Sequence, residues 1–160
     1  MPLTLKDVQA LASHPRTTLL KPLAIEDIEL ALQALPARVP DPVRWWITSL
    51  GVVDIERPIE SRPHLLLLGL SHSSTIDDDI VAFNRSNPTL PQGYLVFAHE
   101  FDGEFDVVYA IDPLGAILRS TGFLFPSLEY TDAYATSTWE AAFTDFEAFW
   151  RSKVRFYLEH

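Results

Sequence analysis

The chain has 160 residues, a net charge of −10 and no cysteine, and 48% of its residues are hydrophobic. The length suits one domain with a buried core, and the hydrophobic fraction excludes a disordered segment. The missing cysteine removes disulfides, thiolate catalysis and zinc–thiolate sites and is compatible with the cytoplasm. The acidic balance argues against nucleic-acid binding, because phosphates need a basic footprint.

The same charge fits a basic protein partner, and it equally serves plain solubility. The longest pure aliphatic run, Leu65 to Leu68, is too short to span a bilayer, so no membrane span is expected. The opening MPLTLKDVQALASHPR carries acid and no unbroken apolar region, unlike a secretory signal. Leu158-Glu159-His160 reads as the start of a vector-encoded histidine tag, which leaves residues 1–157 as a single domain.

Thr4 is placed to cap a short helix from Leu5 to Ala12, which His14-Pro15 ends. A second helix is predicted over Ala24 to Leu35, with Ile25, Ile28, Leu32 and Leu35 as its apolar stripe and Pro36 as its stop. Asp41 is expected to cap a third helix, with Pro42 at its first position and Gly51 beyond its end. Val52 to Glu56 reads as a strand and RPIESRP as a loop. The run HLLLLGL from His64 reads as a central strand covered on both faces. Ser74 is then expected to cap a helix over TIDDDIVAFNRS.

YLVFAHEFDGEFDVVYAID, from Tyr94 to Asp112, reads as a β-hairpin. Period-two alternation puts Leu95, Phe97, His99 and Phe101 on one face, and Phe105, Val107, Tyr109 and Ile111 on one face of the second strand. For both sets to meet one core, Phe101 must oppose Phe105 across an odd-numbered loop. That register sets Glu100 opposite Asp106, an unfavourable pair, with Asp102 and Glu104 adding charge between them. Asp112-Pro113-Leu114-Gly115 has the residues of a type I turn followed by a left-handed glycine, pairing Ile111 with Ile117 on a third strand over Ala116 to Ser120. The last helix is expected to begin at Ser137-Thr138-Trp139-Glu140, a capping-box spacing, and to bury Phe143, Phe146, Phe149, Trp150 and Val154.

Few residues suggest chemistry. Ser71 follows an apolar strand and adjoins His72, but Ser73 stands where the nucleophile elbow of a hydrolase has its second glycine. A polar loop is the plainer reading, and a serine hydrolase is the alternative kept. Asp77-Asp78-Asp79 cannot all converge on a cation from a helix. Asp102, Glu104 and Asp106 alternate as in a calcium loop, but Pro113 stands where the distal glutamate belongs. His14, His64, His72 and His99 have no ligand spacing, and His99 reads as a buried core histidine. No metal and no cofactor are expected. The candidate partner-binding residues are Glu100, Asp102, Glu104 and Asp106 at the hairpin tip, followed by Trp45 and Trp46. Those two tryptophans are adjacent on a helix and cannot both face inward.

The order of these features resembles the SUKH superfamily, the Smi/Knr-type immunity domains. The resemblance rests on Leu35-Pro36, the short helix with Trp45 and Trp46 ending at Leu50-Gly51, the hairpin, the Asp112-Pro113-Leu114-Gly115 turn, and a terminal helix with Phe146, Phe149 and Trp150. It covers about Ile25 to Trp150. It implies an α+β fold, a central, largely antiparallel sheet flanked by N-terminal helices and a C-terminal helix. It also implies a non-enzymatic bacterial immunity protein that binds and neutralises a polymorphic toxin, often a nuclease; some relatives are regulatory scaffolds. The expected partner is therefore a basic protein toxin.

Overall fold

The computed structural model describes residues 4–35, 37–86, 90–120 and 139–159. Within them, seven strands form one antiparallel sheet in chain order. They are β1 Thr17–Leu20, β2 Val52–Glu56, β3 His64–Leu67, β4 Leu95–Phe101, β5 Asp106–Ile111, β6 Ile117–Ser120 and β7 Glu140–Phe143. Each strand pairs antiparallel with the next strand in the chain, across short loops at β2–β3, β4–β5 and β5–β6 and across helix-bearing segments between β1 and β2 and between β3 and β4. The expected α+β class with an antiparallel sheet is what forms. Among the described residues no helix is long and apolar enough to cross a membrane.

Helices α1 (Leu5–Gln9), α2 (Ile25–Leu32) and α3 (Asp41–Ser49) precede most of the sheet, and α4 (Ile80–Arg85) lies between β3 and β4. In α1 the Asp7 carboxylate accepts from the Thr4 amide at 2.8 Å and the Thr4 hydroxyl at 2.9 Å, closing the first turn. In α3, Val43, Trp46, Ile47 and Leu50 recur at helical spacing and are all buried. Pro40, rather than Asp41, occupies the cap position of α3, because Asp41 and Pro42 already lie inside the first turn. In α2 only Ile28 and Leu32 of the expected stripe are buried, while Ile25 stands 58% exposed at the helix start. Pro36 lies outside the described residues.

Two glycines permit a close crossing of backbones. A Cβ on Gly69 would sit 2.1 Å from the Gly51 carbonyl oxygen, and one on Gly51 would sit 1.9 Å from the Leu20 carbonyl oxygen. Gly51 also has φ of +82°, so the end of α3, the end of β1 and the segment just after β3 meet only without side chains there.

Two expected helix starts move. The segment TIDDD forms turns, and Asp79 caps α4: its Oδ1 accepts from the Val81 amide at 2.8 Å and the Ala82 amide at 2.9 Å. A carboxylate placed directly before the helix displaces the more distant Ser74 hydroxyl. At the other end of the chain, Glu140–Phe143 is strand β7, paired to β6, instead of the first helical turn. The terminal helix begins after Asp145, whose Oδ1 accepts from the Ala148 amide at 2.8 Å. Ser137 and Thr138 lie outside the described residues. This helix runs as α5 (Phe146–Phe149), a wide π-turn (Trp150–Val154) and α6 (Arg155–Glu159). It continues through Leu158, which packs on the core.

The hairpin register differs from expectation in one decisive place. Val96 opposes Ala110 and Ala98 opposes Tyr109, which leaves Phe97 as an extra, bulged residue. Beyond the bulge the alternation of β4 reverses. Phe97 still meets Trp46, Phe146 and Phe149, whereas His99 turns to the opposite face, against Phe83 of α4. Phe101 therefore opposes Asp106, not Phe105, and Glu100 opposes Val107, not Asp106. The loop Asp102–Phe105 is even-numbered because the bulge has absorbed the odd residue. Beyond the next turn, Ile111 opposes Ile117 as the turn chemistry requires.

One face of the sheet carries α1, α3 and the terminal helix; α4 covers part of the other. Trp46 is at the centre of the first layer. It stacks 5.8 Å from Phe146 and donates from Nε1 to the Leu68 carbonyl at 2.8 Å. Trp150 is 2% exposed. Trp46→Ala and Trp150→Ala are each expected to lose about 3–5 kcal/mol in urea melts, and Trp45→Ala, at a half-buried site, less than about 1.5 kcal/mol.

Candidate protein-binding surface

The end of the sheet formed by the β2–β3 loop (57–63) and the β4–β5 loop (102–105) concentrates the candidate residues. Pairing of His64 with Phe101 and of Phe101 with Asp106 brings the two loops side by side. They touch: a Cβ on Gly103 would lie 2.7 Å from the Ser61 hydroxyl. Asp102 builds the tip. Its Oδ1 accepts from the amides of Glu104 at 2.9 Å and Phe105 at 2.8 Å, and its own amide donates to the Phe105 carbonyl at 3.2 Å. The bond from the Phe105 amide is the leading reason that the Asp102 carboxyl is held below its usual range.

Glu56, Glu60, Asp102, Glu104 and Asp106 are all exposed at this end. Two arginines, Arg57 and Arg62, accompany these five carboxylates, and the Arg57 guanidinium is spent over the Phe156 ring at 4.6 Å. Burial raises the Asp106 carboxyl, with His64 pulling it the other way. Among the acids stand two large apolar side chains, Phe105 at 58% exposure and Ile59 at 43%. Sequence reasoning missed both, because alternation assigned Phe105 to the core and Ile59 to an undistinguished loop.

Glu100 is not part of this surface. The bulge turns it under the terminal helix, where it is 3% exposed. Its Oε1 accepts from the Tyr109 hydroxyl at 2.6 Å and its Oε2 from the Tyr157 hydroxyl at 2.7 Å. Lys153 Nζ lies 3.0 Å from Oε1 and 3.3 Å from Oε2. Burial, with the Glu100 charge beside them, pushes both phenols well above the ordinary tyrosine range. They stay protonated and donate. Trp46 is likewise fully buried, and Trp45 is half-buried on α3. Of the six sequence candidates, Asp102, Glu104 and Asp106 come together at the surface, and the other three do not join them.

The remaining chemistry-bearing residues take local roles. The Ser71 hydroxyl accepts from the Ser73 amide at 3.2 Å, and His72 is exposed beside it. Asp78 accepts from the Thr75 amide at 3.3 Å. Among the described residues no three His, Asp or Glu side chains come together as metal ligands. On the second sheet face, His64 Nδ1 lies 3.3 Å from Asp54, a contact that raises the His64 pKa. His99 is stacked 5.6 Å from Phe83, and burial pushes its pKa down to about 4.

These features define an α+β protein built on a seven-strand antiparallel meander, with an acidic, partly apolar end. Comparison with protein-family models, curated proteins and solved structures finds no match.

Two stability tests separate these roles. Glu100→Gln weakens the bonds from two buried phenols and leaves the partly exposed Lys153 ammonium without its counter-charge, and is expected to cost about 1–3 kcal/mol. Glu104→Lys at the exposed tip should move stability by less than about 0.5 kcal/mol. Equal losses in urea melts would contradict the burial assigned to Glu100. For His99, the unfolded chain titrates near 6.5 and the folded chain at about 4. Between those values the unfolded chain binds more protons, so stability falls as pH drops through that window. His64 acts in the opposite sense, since its raised pKa adds stability that is present at low pH and lost as pH rises. His99→Phe should remove about 2–3 kcal/mol of the stability difference between pH 7 and pH 4.5, as read from urea melts at the two pH values.

Proposed function

We propose that this chain is a non-enzymatic bacterial immunity protein, acting in the cytoplasm, that binds and neutralises a basic protein toxin through the end of the sheet holding Asp102, Glu104 and Asp106. The observation that carries the reading is the crowding of five exposed carboxylates around exposed apolar groups on a tip closed by hydrogen bonds to Asp102 Oδ1 and from the Asp102 amide. Crowded like charges are unfavourable in the free protein and are relieved when a basic surface docks. The net charge of −10 extends the same field over the whole molecule. The resemblance to the SUKH superfamily supports the same conclusion. A regulatory protein-binding scaffold would use the same surface; protection against a toxin separates the two roles.

The test starts from a toxin encoded beside the gene in its source genome. Co-expression of the wild-type chain should rescue cells from that toxin. The variant Asp102→Asn, Glu104→Lys, Asp106→Lys keeps the carbonyl oxygen that closes the tip and reverses two charges. Its association rate at low salt should fall about 10–100-fold, with a flattened salt dependence. Rescue by the wild type with unchanged association of the variant would move the interface elsewhere, with the half-buried Trp45 on α3 the next candidate. Absence of rescue by the wild type would reject the immunity role.

A further inference from the structure

Phe105 is out of place for a globular core. Strand alternation directs it inward with Val107, Tyr109 and Ile111, yet it stands 58% exposed, one residue before β5 begins. The tip that holds it is already ordered. Asp102 Oδ1 accepts the Phe105 amide, the Phe105 carbonyl accepts the Asp102 amide, and Gly103, at φ of +104°, packs on Ser61 of the adjoining loop. An aromatic ring with few rotatable bonds on an ordered turn loses little entropy when it is buried by a partner. Ile59, 43% exposed, extends the apolar group on the neighbouring loop.

From this arrangement we propose that Phe105, supported by Ile59, is the anchor of the protein-binding surface. It inserts into an apolar pocket on a partner whose rim is lysine and arginine. This inference rests on the binding reading above and names the partner's chemistry. Charge selects that occupant. A second copy of this chain would bring the same acidic end and another net charge of −10. Phosphates of nucleic acids and anionic lipid headgroups would meet Glu56, Glu60, Glu104 and Asp106 in the same way. Leu114, the most exposed large apolar residue among the described residues at 94%, sits on the β5–β6 turn at the opposite end of these strands. It is flanked by Asp112, whose Oδ1 is occupied by the Leu114 and Ala116 amides, so Leu114 serves as the internal control.

The division of labour follows from the physics of association. Rim charges accelerate encounter, and a buried aromatic sets residence time. Photo-cross-linking in the source organism tests the placement, with p-benzoylphenylalanine at position 105, 59 or 114 of the full chain. Mass spectrometry then reads the peptide joined to each position. The proposal expects efficient cross-links from 105 and 59, into a peptide with apolar residues between lysines or arginines, and few from 114. It expects Phe105→Ala to raise the dissociation rate of the captured, purified partner about 30–300-fold with association within about twofold. Circular dichroism of Phe105→Ala should match the wild type. Absence of cross-links at 105, cross-links confined to 114, an acidic target peptide, or an unchanged dissociation rate each overturn it. A basic partner captured at 105 that is not a toxin leaves the anchor standing and rejects only the immunity role.

Discussion

One extra residue in β4 sets which side chains of the central hairpin lie inside. At Phe97 the ladder between β4 and β5 slips by one position, and everything beyond it toward the tip changes face. Before the bulge, Leu95 alternates with Val96 as the hydrophobic pattern dictates. After it, His99 is against α4 and Glu100 is under the terminal helix. The slip also fixes the length of the β4–β5 loop, ejects Phe105 from the core and leaves Asp102, Glu104 and Asp106 at the surface. A bulge bends and twists its strand, and here Phe97 fills the resulting space against three rings, Trp46, Phe146 and Phe149.

Glu100 is the consequence with the largest energetic stake. A buried carboxylate is costly unless its lone pairs and charge are met. Two phenols and one ammonium meet it, and two of those groups come from the terminal helix. The π-turn at Trp150–Val154 widens that helix just where Lys153 must reach the sheet, while Trp150, Val154 and Tyr157 stay buried. The helix is thus bound to the sheet by an apolar stripe and, at one point, by an ionic contact that tolerates little displacement. Wide helical turns recur where a side chain must be re-aimed, and this one aims an ammonium at a carboxylate.

Acids buried or near the core have specific partners: Glu100 with Lys153, Asp54 with His64, Asp79 with the amides of α4. At the loop end of the sheet, Glu56, Glu60, Glu104 and Asp106 stay exposed around Phe105 and Ile59. At Ser71 the hydroxyl accepts a local turn bond from the Ser73 amide.

Local chemistry was legible in the sequence wherever neighbouring residues decide the outcome. The helix start after Thr4, the Asp112-Pro113-Leu114-Gly115 turn with Ile111 opposite Ile117, and the covered strand, which ends at Leu67 short of the expected Leu70, follow from spacing and turn residues, and the antiparallel α+β class is the one the resemblance implied. Tertiary structure decided what depends on contacts distant in the chain. The bulge at Phe97 has no signature in the run LVFAHEF, because it is stabilised by rings from α3 and the terminal helix that no local window contains. Glu100 looked exposed because Tyr157 and Lys153, its partners, lie more than 50 positions away. Glu140–Phe143 looked helical because a short run takes its conformation from the edge of β6 that it pairs with. A single-residue shift of phase costs little locally and reverses the environment of every residue after it, so the sequence determined the hairpin and the packed sheet determined which of its acids face solvent.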